Sequence, residues 1–131
     1  MKISSKGRYA VRIMAELAGH KSELVSVTEL SARLGFTVKY TEKIIAILLK
    51  ANLIESVRGV QGGYRLTKAP EEYSIREILF ATDDLPKLAP CLESGGKCER
   101  AALCTSISCW EKLDLLITDY LQGIKLSDLL N

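Results

Sequence analysis

Apolar residues along the first part of the chain follow a helical spacing. Between residues 5 and 19 they recur at i, i+3, i+4, i+7 and i+8, the positions of Ala10, Ile13, Met14, Leu17 and Ala18. This spacing is typical of an amphipathic helix that buries one face. Gly19 is a suitable residue at which such a helix ends, so we predict a first helix over residues 5–19.

Two further helices with a tight turn between them are predicted next. The segment SVTELSARLG favours a short helix, capped by Ser26 or Thr28 and ended by Gly35. The segment VKYTEKIIAILLKANLI predicts a third helix whose apolar face carries Tyr40, Ile44, Ile47, Leu48 and Ala51. Its other face carries Lys39, Glu42, Lys43, Ala46 and Lys50.

A glycine-rich hairpin follows the third helix. Residues 53–58 and 64–67 read as two short strands, joined by a tip that contains Gly59, Gly62 and Gly63. The order of helix, helix–turn–helix and hairpin is the layout of a winged helix–turn–helix domain. In that layout the third helix enters the major groove of DNA, and the wing reaches the minor groove.

The candidate DNA contacts follow from this layout. They are Lys39, Tyr40, Glu42, Lys43, Arg58, Gly59, Gly62 and Gly63. We expect Glu42 to accept from a cytosine amino group, Lys43 to meet phosphate and Arg58 to enter the minor groove. A glycine-rich tip alone is usually only a turn, and a lysine-bearing helix is usually a solvated face. DNA binding is favoured because all three signals occur in this order.

The second half of the chain predicts a fourth helix, a long loop and a C-terminal helix. Residues 84–105 contain two prolines and a Gly-Gly pair, and a loop of this length usually has a function. Ser106 is the expected cap of a long helix that ends at Gly123. Its heptad-like seam, widened by Leu115, Leu116 and Leu121, comprises Trp110, Leu113, Ile117, Tyr120 and Ile124. We expect a dimerisation helix rather than one that only packs on its own domain, followed by a short helix capped by Ser127.

Fold class and domain organisation follow from these elements. We predict a mainly α protein with a small β-hairpin, in which a winged helix–turn–helix domain is joined to a long C-terminal dimerisation helix. Residues 1–82 form the DNA-binding domain with its following helix, residues 83–105 the cysteine-bearing loop, and residues 106–131 the dimerisation helix and tail.

Composition adds limits on partners and location. The chain has 131 residues, 47% of them hydrophobic and 26% charged, with a net charge of only +2. Residues 1–12 nevertheless carry four basic side chains and no acid, which suits a polyanion. No apolar run approaches the ~20 residues that span a bilayer, and the N-terminus lacks the apolar core of a signal peptide. We therefore expect a cytoplasmic protein without a membrane partner.

Catalysis is not expected. The chain has a single histidine, His20, so no Ser/His/Asp or Cys/His set can be assembled. The glycines between residues 59 and 63 lie in a hairpin and not between a strand and a helix, so they do not form a phosphate-binding loop.

Four cysteines lie within nineteen residues, at the spacing C-x6-C-x5-C-x4-C. They are Cys91, Cys98, Cys104 and Cys109. In a cytosolic chain such clustering favours a metal site. The spacing is wider than that of a typical zinc knuckle and suits a bulkier iron–sulfur cluster. Zinc and free or redox-switching thiols remain open alternatives.

These segments together resemble the IscR/NsrR/CymR-type winged-helix regulators, the Rrf-two family. The resemblance rests on MKISSKGRYAVRIM, VTELSARLG, KYTEKIIAILLKANLIESVRGVQGGYRLTKAP and the downstream cysteines, and it covers nearly the whole chain. It implies a homodimeric bacterial transcription regulator, such as a repressor, that binds a palindromic operator. In cluster-bearing members three cysteines hold a [2Fe–2S] or [4Fe–4S] cluster, and Cys91, Cys98 and Cys104 match them.

The fourth ligand departs from the family pattern. The resemblance implies a histidine three residues after the third cysteine or an N-terminal acid, and this chain has Ile107 and Arg8 there. Cys109 is then the leading replacement. We expect the chain to sense iron–sulfur, redox or nitric oxide status. The alternative is a cluster-free regulator controlled by thiol oxidation, zinc or a regulatory protein partner, as the CymR-like members imply.

Overall fold

The described residues form five α-helices and one β-hairpin, and the first three helices and the hairpin follow the predicted order. The computed structural model describes residues 2–20, 23–85, 88, 92 and 103–130. The elements are α1 (Ser5–Gly19), α2 (Val27–Leu34), α3 (Val38–Lys50), β1 (Ile54–Val57), β2 (Gly63–Leu66), α4 (Ile75–Ala81) and α5 (Ile107–Gly123). Short 3-10 helices occupy Pro70–Glu72 and Leu126–Leu129.

Hydroxyl side chains cap the helices that position the predicted DNA-reading elements. Ser26 Oγ accepts from the backbone N–H of Glu29, and Thr37 Oγ1 accepts from that of Tyr40. Each bond satisfies one of the amides that a helix start leaves without a partner. Gly35 ends α2 with a φ of +74°, a left-handed conformation that favours glycine. These local signals explain the predicted start and end of α2 and the start of α3.

A single core unites the helices, the base of the hairpin and the C-terminal tail. The fully buried apolar side chains include Ile13, Met14, Leu17, Leu30, Ile44, Ile45, Leu48, Ile78, Leu79 and Leu126. Leu126 belongs to the last 3-10 helix, and the backbone N–H of Leu126 donates to the carbonyl of Tyr73 at 2.9 Å. Because apolar burial stabilises a fold in proportion to the area removed from water, the tail contributes to the same core as the predicted DNA-binding domain.

Tyr73 ties the two ends of the hairpin together. Its ring is fully buried, and its hydroxyl donates to the carbonyl of Leu53 at 2.7 Å. The same oxygen accepts from the backbone N–H groups of Thr67 and Lys68, at 2.9 and 3.1 Å. Leu53 precedes β1 and Thr67 follows β2, so one side chain closes the base of the antiparallel pair.

Several details of the sequence prediction are wrong. The buried face of α3 comprises Thr41, Ile44, Ile45 and Leu48, whereas Ile47 is half-buried and Ala51 is exposed. The strands are Ile54–Val57 and Gly63–Leu66, each shorter or shifted by about a residue, because the register pairs Val57 with Gly63.

The predictions that Ser106 and Ser127 cap the N-termini of the two C-terminal helices are also wrong. Ser127 lies inside the last 3-10 helix, whose cap position is Lys125. Ser106 occupies the cap position of α5, yet its side chain makes no capping hydrogen bond and lies beside Cys104 instead.

The predicted long C-terminal helix is present but has no buried residue. Ile117, Leu121 and Ile124 are half-buried, and Leu121 and Ile124 pack against the core. Within the residues that the structure describes, no helix has both the length and the apolar character that crossing a bilayer requires.

Removing the Tyr73 hydroxyl tests its role at the hairpin base. We expect Tyr73→Phe to lower the free energy of unfolding by about 1–3 kcal/mol, because it leaves two N–H groups and one carbonyl short of a partner in a buried setting. Denaturant titration followed by circular dichroism measures the change. Tyr64→Phe, which removes the hydroxyl of a half-buried hairpin tyrosine, should change stability by less than about 0.5 kcal/mol. Equal effects would contradict the assignment.

Candidate nucleic-acid interface and cysteine segment

The turn between α2 and α3 is held against α1 by aromatic contacts. Tyr9 of α1 stacks on Phe36 with ring centroids 4.2 Å apart, and it meets the Tyr40 ring edge-on at 5.5 Å. The Arg12 guanidinium lies 4.8 Å above the Phe36 ring and donates to the carbonyl of Leu34 at 3.3 Å. These contacts set the angle at which α3 leaves the turn, so the exposed face of α3 is presented by a rigid support.

The first turns of α3 expose a set of polar and charged side chains. Lys39, Glu42 and Lys43 are all exposed. A carboxylate beside two ammonium groups can accept from a base edge while its neighbours meet phosphate. Tyr40 is half-buried, and its ring packs on Tyr9. Tyr40 therefore has a contact within the protein in addition to its predicted contact with DNA.

The two arginines of the hairpin have different surroundings. Arg65 Nε donates to Glu55 Oε1 at 2.7 Å, and these two residues face each other across the strands. Arg58, at the start of the tip, is exposed and forms no ion pair within the described part of the chain. Arg58 is therefore the wing arginine whose guanidinium is available to a phosphate or a groove.

The glycines of the tip meet backbone constraints. Gly59 has a φ of +127°, which other residues rarely adopt, and its carbonyl accepts from the Gly62 N–H at 3.0 Å. A Cβ at Gly62 would overlap the Val57 carbonyl, and a Cβ at Gly63 would lie 2.8 Å from the Val25 backbone. Turn geometry and close packing thus explain all three glycines without DNA, and their predicted DNA contacts remain predictions.

Val25 forms an isolated β-bridge with the hairpin that the sequence pattern did not predict. Its backbone exchanges two hydrogen bonds with Tyr64, at 3.0 and 2.9 Å. This pairing fixes the hairpin to the segment before α2. A single paired residue has no periodicity, so the sequence gives no pattern that predicts it.

The cysteine segment is described only in part. Cys91 and Cys98 lie outside the described residues. Cys104 and Cys109 are free, exposed thiols just before and within the first turn of α5. The Ser106 hydroxyl, 3.3 Å from Cys104 Sγ, lowers the pKa of this thiol, and the backbone N–H groups of Ser106 and Ile107 act in the same direction. The lowered pKa raises the thiolate fraction of Cys104, and the thiolate is the form that binds metals and reacts with oxidants.

Helix α5 presents an apolar face to solvent. Leu116 and Tyr120 are each 67% exposed, and Trp110 and Leu113, on the same side of the helix, are 42% and 40% exposed. Beside this face lies a groove of about 580 Å³, lined by Lys2, Ile3, Arg8, Leu116, Ile117, Tyr120 and Leu121. Contiguous apolar exposure of this kind usually marks an interaction surface.

The comparisons with known proteins point to one family. The Rrf2 family, described as an iron-dependent transcriptional regulator, matches residues 3–131. The HTH-type transcriptional regulator IscR of Aliivibrio salmonicida is 37% identical over 131 residues, which cover 99% of this chain and 77% of that protein.

Two solved structures share the fold. The IscR structure from T. potens is 35% identical and superposes with a TM-score of 0.78, covering 99% of this chain and 86% of that one. The CymR structure from B. subtilis, described as the global cysteine regulator, is 27% identical with a TM-score of 0.79, covering 98% and 95%. Because the relatives are transcriptional regulators, the expectation that this chain is not an enzyme is confirmed. The chain belongs to the Rrf2 family of winged-helix transcriptional regulators.

Proposed function

We propose that the chain is a homodimeric regulator that reads a palindromic operator with the start of α3 and the tip of the wing. The observation that carries this proposal is the exposed, charged start of α3, held by the aromatic contacts of Tyr9 and Phe36. Glu42 supplies base discrimination, Lys39 and Lys43 supply phosphate contacts, and Arg58 reaches the minor groove. A pure protein-interaction module, which needs no DNA, is the competing class.

The operator is found by selecting duplexes from a random-sequence library with the purified protein. We expect a palindrome whose half-sites lie about one helical turn of DNA apart. Arg58→Ala should weaken binding about tenfold. It should also reduce the slope of log affinity against log salt concentration by about one, because one positive charge is lost from the interface. Arg65→Ala is the matched control and should have a smaller effect, because Glu55 already pairs with Arg65. Failure to enrich any sequence would favour the interaction module.

Changes on α3 separate base reading from phosphate contact. Glu42→Ala should relax specificity at one base pair per half-site, a loss of about 1–3 kcal/mol of discrimination. Lys43→Ala should weaken binding to all sequences about equally. An unchanged sequence preference in Glu42→Ala would contradict the proposed base contact.

The dimer is proposed from the apolar face of α5. A monomer would leave Leu116 and Tyr120 largely in water, at a cost of roughly 25 cal/mol for each Å² of apolar surface. A second copy of the same helix can cover this face by self-complementary packing. The dimer would then carry two sets of DNA-reading elements, α3 and the wing of each protomer, as a palindrome needs.

A charge on the α5 face should separate the protomers. We expect Leu116→Glu to raise the dimer dissociation constant about a hundredfold, because a carboxylate without a partner would be buried between the helices. Its fold should survive, since Leu116 is exposed within one protomer. Sedimentation measures the dissociation constant, and Gln122→Glu, an exposed polar position of α5, is the control. A Leu116→Glu variant as dimeric as the wild type would contradict this interface.

The sensing group proposed for the cysteine segment is an iron–sulfur cluster, [2Fe–2S] or [4Fe–4S]. Cys91, Cys98 and Cys104 would hold it, with Cys109 as the candidate fourth ligand. The lowered pKa of Cys104 fits a group that binds thiolates, and the family description names iron dependence. When bound, such a cluster supplies iron that responds to oxidant, nitric oxide or iron supply. The residues of the segment hold the thiolates and carry the change into α5.

Anaerobic purification with iron and sulfide analysis tests the cluster. Each of Cys91→Ser, Cys98→Ser and Cys104→Ser should abolish the visible charge-transfer absorption, because each removes one thiolate ligand. Retained absorption in Cys109→Ser would indicate a fourth ligand other than cysteine. Stoichiometric zinc without sulfide in the wild type would overturn the cluster in favour of zinc.

A cluster-free regulator is the second candidate. The exposed Cys104 thiol, whose pKa is lowered by Ser106, has the features of an oxidisable cysteine. Iron-free protein whose operator affinity changes on treatment with peroxide, and recovers with a thiol reductant, would establish this candidate. Iron-free protein that responds to neither would leave control by a protein partner.

A further inference from the structure

The N-terminus of α1 lacks the acidic residues that usually stabilise a helix start. Its first turn contains no acid and carries Lys6 and Arg8. Cations near the positive end of a helix dipole are unfavourable. The Ser4 side chain caps the helix by accepting from the Gly7 N–H at 3.2 Å. A carboxylate that stabilises this helix start therefore has to come from another part of the chain.

Asp84 supplies that charge from the start of the cysteine segment. Its Oδ2 accepts from the backbone N–H of Ser4 at 2.7 Å, across 80 residues of sequence. The carboxylate lies against Gly7, which is buried, and any Cβ at Gly7 would overlap it. Glycine inside a helix costs about 0.5–1 kcal/mol relative to alanine. The glycine at this position is explained by the space that the carboxylate occupies.

The backbone of Asp84 is fastened just as firmly to the end of α4. Its N–H donates to the carbonyl of Leu79 at 2.9 Å, and the N–H of Asp83 donates to that of Phe80 at 3.0 Å. This is the Schellman arrangement, with Asp83 in the left-handed position at a φ of +54°. Aspartate is one of the few residues besides glycine that adopt this conformation readily. Asp84 thus joins the end of α4 to the start of α1.

The contacts of α1 continue toward the DNA-reading helix. Gly7 is two residues before Tyr9, whose ring stacks on Phe36 in the turn before α3. In the other direction, the chain runs from Asp84 into the segment that bears Cys91 and Cys98. Asp84 therefore connects the cysteine segment, through continuity of the chain, to the cap residue Ser4 at the start of α1.

We propose that Asp84 is a positioning residue that couples the state of the cysteine segment to the DNA-reading head through the start of α1. This inference rests on the proposed cluster-dependent DNA binding, and it adds the residue pair, Asp84 and Gly7, through which the coupling passes. A change in the cysteine segment alters DNA affinity only if both the segment and the DNA bias the same structural element. The proposed element is the contact of Asp84 with Ser4 and Gly7 at the start of α1.

The contact between Asp84 and Gly7 is tested by a double-mutant cycle on the cluster-free, reduced protein. Gly7→Ala should lower the Tm by about 3–6 °C, because its methyl group displaces the carboxylate. In the Asp84→Ala background the same change should leave the Tm unaltered or raise it, since alanine favours the helix once the carboxylate is gone. An equal loss of Tm in both backgrounds would show that Asp84 does not occupy this site.

The coupling is tested by the operator selected above. The ratio of operator affinities between cluster-loaded and cluster-free protein is measured for wild type, Asp84→Ala and Glu71→Ala. Asp84→Ala should bring this ratio at least about fivefold closer to one. Glu71→Ala removes an exposed acid of the Pro70–Glu72 turn and should keep the wild-type ratio, so it controls for net charge.

The outcomes separate this inference from the function on which it rests. A wild-type ratio that Asp84→Ala leaves intact would overturn the coupling while the sensing function stands. A wild-type ratio of one would overturn the sensing function and the coupling with it. A lowered Tm alone, with the ratio unchanged, would reduce Asp84 to a structural cap.

Discussion

The hydroxyl of Tyr73 is the interaction on which the arrangement of the DNA-reading elements depends. In one buried position it donates to the carbonyl before β1 and accepts from two amides after β2. The carbonyl of the same residue accepts from Leu126, so the C-terminal tail meets the wing at this point. A hairpin of two four-residue strands is marginal by itself. Tyr73 on one side and the Val25 pairing on the other give it a fixed orientation on the core.

The reading helix is supported by a different kind of contact. Tyr9, Phe36 and Arg12 form an aromatic and cationic cluster that holds the turn before α3 on the surface of α1. Within the described part of the chain, no buried side-chain nitrogen or oxygen lacks a hydrogen-bond partner. The exposed charges at Glu42, Lys43 and Arg58 are available to a partner.

The proposed sensing and DNA-reading functions meet at the two ends of the cysteine segment. At one end, Asp84 bridges α4 and α1; at the other, Cys104 lies beside Ser106 at the start of α5. The apolar face of α5 is suited to a second protomer, and the N-terminus of α1 borders the same groove through Ile3 and Arg8. The proposed dimer interface and the start of α1 thus both border the ends of this segment.

The sequence by itself determined the order and type of the elements, because periodicity and caps are local. Ser26 and Gly35 marked the start and end of α2, and the glycines marked the wing tip. The tertiary structure decided what depends on distant partners. Ile45 is buried in α3 while Ala51 is exposed, since neighbouring elements select the face. Ser106 does not cap α5, because its hydroxyl lies at Cys104. The contact of Asp84 with Ser4 and Gly7 spans about eighty residues, and no local pattern encodes it.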